Sequence, residues 1–140
     1  MPGVAADDYG LHGARDSDVA TVRAIYDAFA RRDLDAMLAH TAEDVEIVPV
    51  GTAGRIGRTE PYRGHDGLRE YFADAEALWE ELTLHPDDVR ATIDSVVVFG
   101  HVDARLRGRA IRRQVVWTWK LRGGKVVVLR VHDVGGDPYE

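Results

Sequence analysis

The chain has 140 residues, 45% of them hydrophobic and 30% charged, which is typical of one soluble globular domain. Its net charge of −6 has the wrong sign for a nucleic-acid-binding protein, so we expect no nucleic-acid partner. The absence of cysteine excludes disulfides, thiol nucleophiles and thiolate metal sites.

The two ends of the chain are predicted to lie outside the domain. Residues 1–16 contain three glycines and no helical period, so we expect a disordered tail, followed by one domain over 17–134 and a short tail over 135–140. No apolar run approaches the roughly 20 residues of a membrane helix, and the first residues lack the basic and apolar parts of a signal peptide. We therefore expect a cytoplasmic protein with no membrane partner.

The first half of the domain is predicted to contain two helices, a strand and a loop. Ser17 is a candidate cap for a helix over 18–32, and Asp33 is a candidate cap for a second helix over 34–40. A strand is predicted over 45–50. The glycine-rich segment 51–57 is a candidate mouth or lid of a pocket, with disorder as the favoured interpretation.

The second half is predicted to contain one helix and four strands. Apolar residues at helical spacing indicate a long helix over 67–81. A strand bent at Pro86 follows over 82–90, and a long strand covers 96–107, with Val98 and Val102 on its inner face and Phe99 and His101 on its outer face. The order of elements is ααβαββββ.

The last two strands are predicted to form a hairpin at the centre of the sheet. Residues 114–121 and 125–133 are rich in β-branched and aromatic residues, and Gly123-Gly124 suits a tight turn between them. Trp117 and Trp119 share one face of the first strand, where two large aromatic rings need a cover of helices. Sheet and helices would then enclose a pocket.

Five short motifs occur in an order that resembles the nuclear transport factor 2-like superfamily, and within it the SnoaL-like polyketide cyclases and ketosteroid isomerase-like proteins. They lie at 22–29, 33–37, 43–47, 62–65 and 119–127. The resemblance implies an α+β cone, a curved antiparallel sheet wrapped around a long helix with an apolar pocket inside. It also implies a homodimer formed through the outer face of the sheet.

The resemblance places the catalytic groups of ketosteroid isomerases at positions that lack them. The base falls at Val48, the acidic donor at Trp117 and the donor tyrosine at Ile25, one place before Tyr26. Steroid-type isomerase chemistry is therefore not expected.

Other polar residues are candidates for catalysis. Asp133 follows Val131 on the inner face of the last strand, where burial is expected to raise its pKa, and Tyr26 and Arg113 are candidate helpers. The competing interpretations are a strand-end residue making a turn hydrogen bond for Asp133 and, for Tyr26, a buried tyrosine whose hydroxyl meets a backbone carbonyl. His101 and His132 are assigned to the outer face and His65 to a helix start.

Apolar and aromatic residues are predicted to line the pocket. The candidate ligand-binding residues are Val48, Tyr71, Phe72, Trp79, Val115, Trp117, Trp119 and Val131. The rival interpretation is that these aromatic rings fill the pocket completely. No metal-binding spacing of histidines occurs, so we expect neither a metal nor a cofactor.

The sequence thus predicts a SnoaL-like protein that binds a small polycyclic, terpenoid-like or polyketide-like molecule. If it is an enzyme, we expect a cofactor-independent isomerase, cyclase, dehydratase or epoxide hydrolase. The alternative is a non-catalytic ligand-binding or dimerisation module of the same fold.

Overall fold

The computed structural model describes residues 2–48 and 51–136, with the side chains of residues 16–48 and 52–135. The helices are α1 (Pro2–Ala30), α2 (Leu34–Ala39), α3 (Gly51–Arg55) and α4 (Gly64–Leu78). The strands are β1 (Thr41–Val48), β2 (Tyr62–Arg63), β3 (Glu81–Ala91), β4 (Val96–Leu106), β5 (Arg109–Arg122) and β6 (Lys125–Gly136).

Six strands form one curved sheet in the order β2-β1-β6-β5-β4-β3. Neighbouring strands are antiparallel except β1 and β6, which run parallel. The predicted α+β class is confirmed, and so is the central position of the β5–β6 hairpin. The structure adds α3 and β2 to the predicted order.

The β5–β6 hairpin has the turn that its sequence predicts. Gly123 and Gly124 both have positive φ, 59° and 81°, as a two-residue turn between right-twisted strands requires. On β5, Val115, Trp117 and Trp119 are 3–5% exposed and alternate with more exposed residues. Because successive side chains of a strand point to opposite faces of the sheet, both tryptophans point toward the helices.

Helices α1 and α4 cover the inner face of the sheet. Val22, Ile25 and Phe29 recur on one face of α1, and Phe29 meets Phe72 of α4 edge to face at 5.7 Å. Asp33 accepts a hydrogen bond from the Ala36 amide and caps α2, as predicted.

The ends of two helices differ from the prediction. α1 begins at Pro2, so Ser17 lies inside the helix rather than at its start. Proline is tolerated in the first turn of a helix because the backbone N–H that it lacks would have no hydrogen-bond partner within the helix. α4 ends at Leu78, and Trp79 is already extended because the Glu80 amide donates to the Arg105 carbonyl and begins the pairing with β4.

The predicted termini are described only in part. The disorder expected for residues 1–16 stays a prediction, and β6 continues to Gly136, past the predicted end of the domain. Pro49 and Val50, predicted to end the first strand, lie outside the described residues, as do 137–140. No helix in the described part of the chain is long and apolar enough to cross a membrane.

Candidate functional site

A cavity of about 330 Å³ lies between the inner face of the sheet and the helices. Its lining is mostly apolar, with the β5 side chains Val115, Trp117 and Trp119 on one side and Ile25 and Tyr26 of α1 on the other. The aromatic rings therefore form walls without filling the space between them. The volume falls within the range of small-molecule sites.

Tyr26 is one of the buried polar groups that line the cavity, together with Thr41, Thr52 and Tyr71. Its ring packs edge to face on Trp117 and Trp119, with centroids 5.3 and 5.4 Å apart, and its hydroxyl accepts a 3.2 Å hydrogen bond from Trp119 Nε1. Burial raises the pKa of Tyr26 well above its usual value, so the phenol stays protonated. The Trp119 N–H donates to a lone pair of the Tyr26 oxygen, so the proton of the Tyr26 hydroxyl remains available to a ligand oxygen.

Arg113 and Asp133 form a bidentate ion pair at the mouth of the cavity. Arg113 Nε lies 3.1 Å from Asp133 Oδ2 and its NH2 nitrogen 2.8 Å from Oδ1; the Gly135 amide also donates to Oδ1 at 2.9 Å. The Arg113 hydrogen bonds hold the pKa of Asp133 below its usual value, assisted by the Gly135 amide and the charge of Arg55. The expected rise in the pKa of Asp133 is wrong, because this pairing outweighs burial.

Helix α3 supplies one wall of the mouth. Thr52 is buried, and its hydroxyl accepts a 3.0 Å hydrogen bond from Trp79 Nε1. The Arg55 guanidinium lies over the Trp79 ring, 5.2 Å from its centroid, and also lines the cavity. The segment predicted as a disordered loop is therefore a short helix anchored by Trp79, and its interpretation as a mouth is supported by these contacts.

Most of the predicted site residues line the cavity. They are Tyr26, Tyr71, Trp79, Arg113, Val115, Trp117, Trp119, Val131 and Asp133. The interpretation of Tyr26 as a tyrosine bonded to a backbone carbonyl is wrong, since its hydroxyl contacts an indole.

Val48 and Phe72 do not line the cavity. On β1 the buried residues are Thr41, Val45 and Ile47, so Val48 belongs to the opposite face. The assignment of Val48 to the pocket came from the family alignment and not from the apolar alternation of the strand. Phe72 is a core residue that packs on Phe29 instead.

Sequence reasoning missed Thr52, Arg55, Val45 and Ile47 as lining residues. The alternation of Val45 and Ile47 with Glu46 indicated the correct face. No local pattern pointed to Thr52 or Arg55, since their role depends on where Trp79 lies.

The histidines singled out in the sequence lie away from the cavity. His65 Nε2 lies 2.9 Å from the Thr41 carbonyl and ties the start of α4 to β1. His101 is on the outer face, where Asp87 contacts its Nδ1, and His132 is exposed on β6. Among the described residues, the cavity is lined by one carboxylate and no histidine, so the lining offers no set of metal ligands.

The comparisons with known proteins agree with this geometry. The family model of the SnoaL-like domain matches residues 22–129. No curated protein matches the chain.

Solved structures share the fold. An NTF2-like protein of unknown function from Burkholderia pseudomallei is 28% identical, with 84% of this chain and 90% of that one covered and a TM-score of 0.77. TerC, co-crystallised with polyporic acid, is also 28% identical, with 84% and 91% covered and a TM-score of 0.76. A protein with a ketosteroid isomerase-like fold from Catenulispora acidiphila, in complex with trimethylamine, is 14% identical, with 80% and 83% covered and a TM-score of 0.68.

Proposed function

The chain belongs to the SnoaL-like domain family, and from this premise and the geometry of the cavity we propose that it binds a flat, mostly apolar organic acid. The observation that carries the proposal is an open apolar cavity with a neutral hydroxyl inside it and two arginines at its mouth. Trp117 offers a flat surface for a ring system, and Tyr26 offers a hydrogen-bond donor to a ligand oxygen.

The charge at the mouth favours an acidic group on the ligand. Among the described residues that line the cavity, Arg55 and Arg113 are positively charged and Asp133 is negatively charged. An ionised oxygen of the ligand would find a net attraction at this end. The identity of TerC's co-crystallised compound, an acid, is consistent with this preference.

The two polar ends of the cavity contact different parts of a ligand. Tyr26 packs on Trp117 and Trp119, whereas Asp133 lies opposite Val115 in the β5–β6 ladder. At about 3.3 Å per residue along β5, these contacts are separated by roughly 7–13 Å. Tyr26 and the arginines beside Asp133 would therefore contact opposite ends of one molecule rather than the same atom.

Catalysis is the second candidate function, and the ionised Asp133 in the cavity is the observation that favours it. A carboxylate can take a proton from a carbon next to a carbonyl group, while Arg113 or Arg55 stabilises the resulting oxyanion. This is the chemistry of a cofactor-independent isomerase, cyclase or dehydratase. The lack of polar groups at Val48 and Trp117 favours the non-catalytic alternative.

Binding of polyporic acid and of trimethylamine, measured by isothermal titration calorimetry, tests the proposal. We expect the acid to bind and the amine not to bind. Arg113→Gln is expected to weaken acid binding by roughly tenfold or more, since a hydrogen bond to a charged group contributes about 1.5–3 kcal/mol. Asp133→Asn removes the negative charge from the same mouth and should bind the acid at least as tightly.

A cavity-filling variant separates binding in the cavity from binding elsewhere. Val131 is the cross-strand neighbour of Trp117, so Val131→Trp should fill the cavity and abolish binding. Ile93→Trp adds the same ring at a site that is 77% exposed and should change nothing. Equal affinities of these two variants for the acid would refute the proposed site.

A further inference from the structure

Two histidines are stacked on the outer face of the sheet, the face opposite the cavity. His85 of β3 and His101 of β4 are direct partners in the antiparallel ladder, and their rings are 4.3 Å apart and 11° from parallel. Asp103, two residues after His101, lies on the same face. Its Oδ2 atom is 3.0 Å from His85 Nε2 and 3.8 Å from His101 Nε2.

A β-bulge brings a second carboxylate to the back of His101. The ladder passes from the pair Pro86–Gly100 to the pair Asp88–Phe99, so Asp87 is an extra residue without a partner in the register. Asp87 Oδ2 lies 2.7 Å from His101 Nδ1. A carboxylate at Nδ1 keeps the proton on that nitrogen and leaves the Nε2 lone pair directed away from it.

Asp103 Oδ2 lies near the Nε2 atoms of both histidines. One potential ligand atom of each of the three residues lies within 4.8 Å of those of the other two. Two ligands bound tetrahedrally to zinc at about 2.0–2.1 Å are roughly 3.3–3.5 Å apart, and the distances of 3.0 and 3.8 Å to Asp103 bracket that separation. Because a histidine lone pair lies in the plane of its ring, His85 and His101 must rotate out of their parallel stack for both Nε2 atoms to point at one ion.

We propose that His85, His101 and Asp103, named here the outer-face cluster, bind one divalent transition-metal ion such as Zn²⁺. Nitrogen ligands from two imidazoles and one carboxylate oxygen match this class of ion, and Asp87 supplies the outer carboxylate that usually orients a metal-binding histidine. His85 carries its proton on Nδ1 when Nε2 holds the ion. In the single chain the side chains of His85, His101 and Asp103 are 38%, 21% and 35% exposed, which leaves an open side for a water ligand.

Arg112 does not close the site. Arg112 Nε donates to Asp103 Oδ1 at 2.7 Å, and its NH2 nitrogen donates to Oδ2 at 3.1 Å. The shorter contact is therefore with Oδ1, which is not the oxygen proposed to bind the metal. The carboxylate can keep Arg112 on Oδ1 and use Oδ2 for the metal. No sequence pattern pointed to the cluster, because its histidines are 16 residues apart and meet only through strand register.

Calorimetric titration of the untagged, chelator-treated full chain with Zn²⁺ tests the proposal, and the absorption spectrum of the Co²⁺ form reports the ligands. We expect one ion per chain. His101→Ala should abolish binding, and Asp87→Asn, which removes no ligand, should weaken it by about 10–100-fold. His132→Ala, which removes an exposed histidine outside the cluster, is the matched control and should bind as the unmodified chain does.

Three results would overturn the inference. They are the absence of Zn²⁺ binding, binding that His101→Ala and Asp103→Asn leave unchanged, and one ion per two chains with a metal-dependent dimer in sedimentation. Asp103→Asn keeps the shape of the side chain, so it tests the ligand even if an alanine variant fails to fold. The cavity plays no part in this site, and acid binding should be the same with and without the metal.

Discussion

Asp133 shows that a partner can outweigh burial in setting a pKa. Its place on the inner face of β6 predicted a carboxyl group that is hard to ionise, but Arg113 binds both of its oxygens. The pKa of Asp133 is therefore lowered rather than raised. If Asp133 is a catalytic base, activity should persist to a lower pH than an ordinary carboxylate allows.

The pairing also makes stability depend on pH. Because the pKa of Asp133 is lowered in the folded chain, its contribution is present above about pH 4 and is lost as the pH falls through the folded value. Both side chains are about one third exposed, so Asp133→Asn should reduce the free energy of unfolding by at most about 1 kcal/mol at pH 7. Urea titrations should show that the difference in unfolding free energy between the unmodified chain and Asp133→Asn is smaller at pH 3 than at pH 7.

A double-mutant cycle provides the control for this prediction. With Arg113→Gln already in place, Asp133→Asn should have little further effect at pH 7. A full additive loss in the double variant would contradict the assignment of the effect to this pair.

Tyr26 and Trp119 are predicted to stabilise the buried end of the cavity together. Tyr26→Phe leaves the Trp119 Nε1 proton without its acceptor in a buried site, which should cost about 1–3 kcal/mol of unfolding free energy. In a Trp119→Phe background the same change should cost much less, because the donor is gone. Equal costs in both backgrounds, measured by chemical denaturation, would rule out this hydrogen bond as the cause.

Among the elements, the β3–β4 pair depends on one glycine. A Cβ on Gly100 would collide with the His85 carbonyl oxygen and lie 3.0 Å from the Trp117 ring, so only glycine lets β3 approach at the bulge. We expect Gly100→Ala to lower stability by about 1–3 kcal/mol and to disturb the stacking of His85 on His101.

A second glycine serves as the matched control. Gly54 in α3 has no atom within 4 Å of an added Cβ and no positive φ, so Gly54→Ala should be neutral or stabilising by up to about 1 kcal/mol. A thermal denaturation series that ranks the two variants in the opposite order would contradict the role given to the bulge.

The sequence predicted elements whose own pattern is strong. The alternation on β5 and the Gly123-Gly124 turn gave the central hairpin, and Pro86 marked the bend in β3. It did not predict α3, because a five-residue helix containing two glycines has little helical propensity and depends on the contact between Thr52 and Trp79.

At the scale of the whole molecule, the sequence predicted the fold and the cavity walls better than the polar contacts. Inward-facing residues follow from strand period, so Val115, Trp117 and Trp119 were correctly placed. Ion pairs depend on which side chains meet across strands. The pairing of Arg113 with Asp133 and the convergence of His85 with His101 therefore became visible only in three dimensions.

A homodimer through the outer face remains our proposal for the assembly. Phe99 is 44% exposed on this face, and burying it against a second copy would remove a large apolar ring from water. Sedimentation at micromolar concentration should show a dimer that Phe99→Arg weakens and that Ile93→Arg, at an exposed site outside this strand, leaves intact. A monomer in all three chains would contradict the proposal.

The most direct test of the central claim is a crystal structure of the full chain grown with polyporic acid. We expect ligand density against the Trp117 ring, with an acidic oxygen near Arg113 or Arg55 and another polar atom within reach of the Tyr26 hydroxyl. A cavity closed by the rings of Trp117 and Trp79, with the compound bound elsewhere or absent, would contradict the claim. That result would leave a dimerisation module as the better account of this chain.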